Sequence, residues 1–343
     1  MNFYVACVSA AVLSFLISFA GGFVLIPFLR KLKFGQTILE IGPKWHEKKQ
    51  GTPTMGGILF IISTVFSFIF VAVFDKIRGG SIVSGNEITG VISRTKLISG
   101  FAAAGCFSFI GFIDDYIKVV KKQNLGLKIS QKTVLQTVLS VAYLLTLFIN
   151  DSTGSMFVPF FGMVETKVFF WLLGIPVIYC TVNAVNFTDG VDGLCGSVTF
   201  TASVSFTAVA VLRKASGVGL LGSALSGGLL GYLIWNRYPA RVMMGDTGSM
   251  FLGGMIICFS YCLDMPYIIL LIGIVYVLEF LSDIIQIVYF KLSHGKRIFK
   301  MAPFHHHLEL CGWSENKIVR VFTLVGLAGG LTAFLLVYFG NLR

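Results

Sequence analysis

From Val5 to Phe28 the chain runs without one charged side chain, and Thr133–Asn150, Val168–Phe187 and Thr247–Tyr261 do the same. Each run is close to the length of about 20 residues that an α-helix needs to cross a bilayer. A helix on the surface of a soluble domain would carry a continuous polar stripe, which these runs lack. Composition removes the alternative of one large soluble core. Of the 343 residues, 55% are hydrophobic and 13% charged, against about 25% charged in soluble domains. The fold class that follows is all-α: a polytopic integral membrane protein, organised as a single transmembrane domain over residues 1–343.

Breaks at charged or Gly/Pro-rich positions give ten predicted spans, at about 4–29, 55–74, 97–116, 133–150, 168–187, 196–212, 217–235, 248–263, 266–290 and 319–340. The first has no basic segment ahead of it, its first charge being Arg30, so it is predicted to stay as a span and not to be a cleaved signal peptide. With both termini outside, 19 of the 27 Lys and Arg residues fall in inward segments, which is the orientation the positive-inside rule selects. The net charge of +11 is then explained by anchoring to anionic lipid, and nucleic acid is not an expected partner. Seven cysteines, mostly inside apolar runs and without regular spacing, are predicted to be small buried hydrophobes.

Only sixteen acids are present, so their placement is informative. Asp114, Asp115, Asp189, Asp192 and Asp246 come from three separate segments, and the predicted spans bring all of them to the inward face. Acids near membrane depth are costly and tend to serve function. Asp114 and Asp115 close an apolar helix, with Lys118 four residues after Asp114 on the same face; neighbours on a helix point about 100° apart, so the two acids need not share a partner. Asn183, Asn186 and Asp189 recur every third residue as a polar ridge, leading into Gly190, Asp192 and Gly193. A helix-packing seam would explain the two asparagines but not the two Asp-Gly steps. In Met244-Gly245-Asp246-Thr247-Gly248-Ser249, Thr247, Ser249 or Asp246 itself could cap the following span, whose amides would then suit a phosphate.

The last inward loop is basic and ends in His305, His306 and His307. Consecutive histidines fan around a helix and suit anionic oxygens better than one shared metal. Carboxylates without a cysteine or His–carboxylate zinc set favour a hard cation, Mg2+ or Mn2+. With lysines and histidines beside them the natural substrate is a diphosphate, and the reaction class is phosphoryl transfer at a membrane surface.

Five stretches together carry a family resemblance: Lys49–Gly57, Asp114–Lys118, Asn186–Leu194, Met244–Ser249, and Met301-Ala302-Pro303 with the three histidines. They resemble the polyprenyl-phosphate N-acetylhexosamine-1-phosphate transferases, and the Ala-Pro-x-His-His-His loop points to the bacterial phospho-N-acetylmuramoyl-pentapeptide branch. The resemblance implies transfer from UDP-N-acetylmuramoyl-pentapeptide to undecaprenyl phosphate, giving lipid I and UMP, in a homodimer in the bacterial cytoplasmic membrane with its site facing the cytoplasm. It implies that Asp246, with Asn186 as helper, holds Mg2+. It implies that Asp114 and Asp115 serve the lipid phosphate, one of them as base, and that Lys118, Lys122 and Lys132 hold phosphates. Lys49, Thr54, Asn186, Asp189, Gly190, Asp192 and Asn236 would line the nucleoside pocket, and Gln286 with His305, His306 and His307 the phosphosugar side.

Two positions depart from this pattern. Met243 stands where an aromatic that could stack on uracil is expected, and Asp283, one turn after Glu279 in the ninth span, has no assigned role. Direct attack by the lipid phosphate and an aspartyl-phosphate intermediate both stay open. Direct attack is favoured, because Asp114 would make its neighbour Asp115 a poorer nucleophile unless a metal or Lys118 offset it. The competing readings are a sister transferase for N-acetylglucosamine-1-phosphate, an ion-coupled transporter and a membrane scaffold. A transporter would place its acids near mid-bilayer in repeated halves, and a scaffold leaves the clustered acids unexplained.

Overall fold

The computed structural model describes residues 1–32, 51–83, 94–121, 125–149 and 155–340. Its long helices are α1 (Phe3–Lys31), α2 (Ile58–Ile77), α3 (Arg94–Val120), α4 (Ile129–Ile149), α5 (Val168–Phe187), α6 (Leu194–Leu212), α7 (Ser216–Asn236), α8 (Gly245–Cys262), α10 (Ile274–Leu292) and α12 (Glu315–Gly340). Short elements complete it: a two-stranded antiparallel hairpin, β1 (Ser155–Val158) with β2 (Gly162–Glu165), the single turn α9 (Ile269–Ile272) and the seven-residue α11 (Phe304–Leu310). The chain is a multi-pass helical membrane protein, as its apolar runs require.

Among the described residues, eight helices are long and apolar enough to span, and a ninth span is possible if the bent pair α9–α10 is counted as one. Here one expectation is corrected. The run predicted as a continuous ninth span, 266–290, is broken at Gly273, where Pro266–Ile272 and Ile274–Leu292 meet at 89°. Glycine is a usual site for such a kink. The tenth helix, α8, is less apolar because it opens with Gly245-Asp246-Thr247-Gly248-Ser249. It can be so because it does not face lipid: from Thr247 onward every residue is buried, packed chiefly on α3 and α5.

Small residues let these backbones touch. Gly254 of α8 lies directly on Ala104 of α3, and Gly227 of α7 on the Ala11 carbonyl of α1, so a methyl group at either glycine would collide with main chain. Close approach of this kind drives helix association where lipid offers no hydrophobic gain. The result is a bundle whose centre is α8. Its N-terminal end carries the ends of α3, α5 and α7 and the starts of α4 and α6, where most of the predicted site residues lie.

Candidate active site

The geometry starts from the junction of α3 and α8. Asp115 accepts from the Asp246 amide (3.2 Å), the Thr247 amide (2.9 Å) and the Thr247 hydroxyl (2.7 Å). The cap of α8 therefore comes from another helix, and the expectations that Thr247, Ser249 or Asp246 caps it, or that its amides are open to a phosphate, are corrected. A carboxylate at a helix N-terminus satisfies orphan amides and the helix dipole together. Gly245, at φ +70°, starts the helix with the Thr54 hydroxyl and the Asp115 carboxylate lying against its Cα. The strand-like segment around Thr54 is tied to the start of α8 by bonds from Met243 N to Pro53 O, Gly56 N to Met243 O and Gly57 N to Met244 O.

This cap fixes where Asp246 points. One of its oxygens, Oδ2, accepts from Lys132 (2.9 Å) and Lys118 (3.1 Å), and the other from the Asn186 amide (2.8 Å). Asn186 also donates to Ser249 (2.7 Å). Asp114 pairs with Lys118 at 2.5 Å and accepts from the Leu127 amide at 2.7 Å. Asp114, Asp115 and Asp246 each offer an oxygen within 4.8 Å of the others. So two neighbouring acids, which helical geometry alone did not oblige to converge, do converge, because α8 begins between them. Three carboxylates face two lysines, leaving a surplus negative charge at the end of a membrane bundle.

The other predicted residues are placed as follows. Asn183 belongs to a packing seam: it exchanges hydrogen bonds with Gln136 of α4 and donates to Tyr179 O. Asp192 accepts from the Ala240 amide at 2.8 Å while its own amide donates to Glu315, and Asn236 accepts from Gly193 N and donates to Val242 O. Those bonds knit residues 190–193 to residues 237–244, with Asp189 at the rim of the loop and Met243 buried behind it. Gln286 uses its amide on the main chain of Ile298 and Phe299, so it shapes the histidine loop. The three histidines fan out as expected: His305 to Glu279, His306 to Glu309, and His307 to the Lys300 amide. Lys49 and Lys122 lie outside the described residues.

Sequence reasoning passed over Ser249 as a partner of Asn186, Glu315 as the acceptor for Asp192, and Glu279 as the partner of His305. Ser249 stood inside a motif and could have been found; Glu315 is brought in by the tertiary fold alone. An apolar cavity of about 410 Å3 opens between α5 and the α9–α10 elbow. Ala184 of α5 and Phe280 of α10 line it, as do Lys96 at the start of α3 and Asp264 just past the end of α8.

Residues 97–264 match the family described as Glycosyl transferase family 4, and residues 49–61 match phospho-N-acetylmuramoyl-pentapeptide-transferase signature 1. A phospho-N-acetylmuramoyl-pentapeptide-transferase of Listeria monocytogenes is 42% identical over 97% of this chain and 98% of its own length. The chain belongs to the phospho-N-acetylmuramoyl-pentapeptide transferase family. Proteins of the same name from Carboxydothermus hydrogenoformans (42% identity, 93% of this chain and 95% of that protein) and Acetivibrio thermocellus (44%, 91% and 89%) are similar across the same range. As a member of this family the chain is an enzyme, a membrane-embedded transferase, and its conjunction of carboxylates and lysines is the candidate site.

Proposed function

We propose that this enzyme transfers phospho-N-acetylmuramoyl-pentapeptide from its UDP-linked donor to undecaprenyl phosphate in a Mg2+-dependent reaction, releasing UMP and forming lipid I, the first membrane step of peptidoglycan synthesis. The observation that carries the reading is the convergence of Asp114, Asp115 and Asp246 with Lys118, Lys132 and Asn186 at one end of the bundle. The donor set fits a hard cation. Each of the three acids can offer one oxygen, all within 4.8 Å of one another, an oxygen-only donor set of the kind a hard cation takes. Asp246 would hold the ion, with the carbonyl oxygen of Asn186 as a helper, since its nitrogen is spent on Asp246 and Ser249. When bound, the ion supplies charge neutralisation on the donor diphosphate.

The residues divide the remaining work. Lys118 and Lys132 stand on Asp246 and are positioned to turn to phosphate oxygens once that carboxylate has another cation. Asp114, tied to Lys118 and to the Leu127 amide, is the acid of the pair assigned to the lipid phosphate; Asp115 is committed to α8 and holds the frame. That division supports direct attack by the lipid phosphate with Asp114 as base. The cavity between α5 and the elbow suits a polyprenyl chain, because its lining is apolar and includes Ala184, two residues before Asn186 on α5. Thr54, Asp189, Gly190, Asp192 and Asn236, with Lys49, are assigned to the nucleoside, Lys122 to a phosphate, and Gln286, His305, His306 and His307 to the phosphosugar side. The positive-inside count puts this end of the bundle in the cytoplasm and both termini outside. The reading includes one catalytic domain and a homodimer.

The test is UMP release by detergent-purified protein given the muramoyl donor, undecaprenyl phosphate and Mg2+, beside Asp246→Ala and beside UDP-N-acetylglucosamine as donor. Lipid-dependent release with the muramoyl donor, lost without Mg2+ and in Asp246→Ala, supports the reading. Release with UDP-N-acetylglucosamine alone moves the chain to the sister activity, and no release from folded protein refutes the reaction.

A further inference from the structure

Glu279 is wholly buried in the middle of α10, and so is His305, which faces it from α11. The carboxylate accepts the His305 amide at 3.2 Å and its ring Nδ1 at 2.9 Å. With Nδ1–H given to a carboxylate, the opposite nitrogen, Nε2, is the atom the ring presents elsewhere. It points at Gly190, so closely that a methyl group there would overlap it, and it has no hydrogen-bond partner among the described residues. An acid in a membrane helix and an orphaned buried ring nitrogen both cost stability. A pair of apolar side chains would hold α10 to α11 without either cost.

We propose that Glu279 is a positioning residue for substrate binding: it aims His305 Nε2 through the gap left by Gly190, where that nitrogen is reserved for a polar group of the UDP-linked donor. Gly190 follows Asp189 in the loop that also carries Asp192, and the close approach of Nε2 is why this step needs a residue without a side chain. The inference rests on the reading of that loop as part of the donor site. Glu279 touches no reacting atom and acts only through the imidazole.

The test measures KM for the donor, KM for undecaprenyl phosphate and kcat separately, in wild type, Glu279→Gln, His305→Ala, the double variant Glu279→Gln/His305→Ala, and Gly190→Ala. A defect in binding alone raises KM and leaves kcat in place. We expect Glu279→Gln to raise the donor KM about tenfold with kcat held within about threefold and the lipid KM unchanged. The double variant should have a donor KM no worse than His305→Ala, because the ring that the carboxylate orients is gone and Glu279→Gln keeps an oxygen to accept the amide of residue 305. Additive losses, an equal rise in the lipid KM, or a fall in kcat alone would overturn the proposal. If the buried-pair variants do not fold, Gly190→Ala decides, since its methyl group must displace Nε2 without removing either member of the pair: a donor-specific KM rise supports the proposal and wild-type kinetics refute it. Wild-type UMP release is the control. Its absence removes the parent reading and this one with it, whereas normal release with the wrong pattern in the variants removes this one alone.

Discussion

At one end of the bundle Lys96 pairs with Asp264, which Arg213 also faces; at the other, Lys118 and Lys132 meet three carboxylates. The far pair packs against the hairpin at one end of the apolar cavity. Asp264 gives its carbonyl to the Phe157 amide of the hairpin, and Arg213 stacks on the Phe157 ring at 3.7 Å. Arg213 also faces Asp264, so cations outnumber the acid there, and the neighbours are aromatic. At the site the acids outnumber the lysines, Asp246 keeps 18% of its side chain exposed, and each lysine contacts a group that a cation or phosphate could take over. A carboxylate already answered by cations holds helices together. An unmatched, partly open cluster has affinity left for a ligand.

The largest effect should follow from Asp246→Asn, which keeps the size of the side chain and removes its charge. Loss of a group that stabilises charge in the transition state typically costs about 10²–10³ in kcat, and a change of that size in UMP release is expected with an unchanged melting temperature in detergent. Wild-type turnover in Asp246→Asn would erase the distinction between the two ends. Next comes Asp115→Asn, which should lower activity and stability together, because Asp115 is both neighbour and cap of α8. Losing charge-assisted bonds to buried amides costs about 1–3 kcal/mol, so a lower melting temperature should accompany lower turnover. Lost turnover at full stability would move Asp115 from the frame to the chemistry.

Much of this contrast was legible in the sequence, and the missing parts have physical causes. The long helices were visible because lipid demands unbroken apolar runs, and the inward acids stood out because such a chain has so few. The spacing of Asn183 and Asn186 was visible too, but a period of three cannot say which partner each residue meets: one is taken by Gln136, the other by Asp246. The break at Gly273 was missed because glycine in an apolar run serves close packing as readily as a kink. The hairpin at 155–165 was missed because four-residue strands carry too little alternation to read. That Asp115 caps α8 depends on a contact across 131 residues, and no local rule reaches that far.

A smaller effect, with an opposite sign in its two readouts, is expected from Lys132→Met. Removing one cation from Asp246 Oδ2 leaves the cluster more negative. Turnover should fall about tenfold if one phosphate contact is lost, while the Mg2+ concentration for half-maximal rate should drop, because less positive charge competes for the carboxylates. Titrating Mg2+ in both proteins checks it. A higher Mg2+ requirement in Lys132→Met would mean that the lysine helps to organise the metal site and does not compete for it.

The smallest effect on catalysis should come from the far end, where Asp264→Ala takes away the carboxylate that Lys96 faces. Breaking a buried ion pair from one side costs about 3 kcal/mol or more, so the melting temperature should fall clearly. The double change Lys96→Met/Asp264→Leu, which replaces the pair with apolar side chains of similar bulk, should restore most of it. In both variants the kcat of protein that remains folded should stay near wild type, since the pair stands at the opposite end of α3 and α8 from Asp114 and Asp246. A strong fall in kcat with intact stability would show that the two ends are coupled. The cavity lined by Lys96 and Asp264 also reaches Ala184 on α5, and the lipid acceptor would be the first place to look for that coupling.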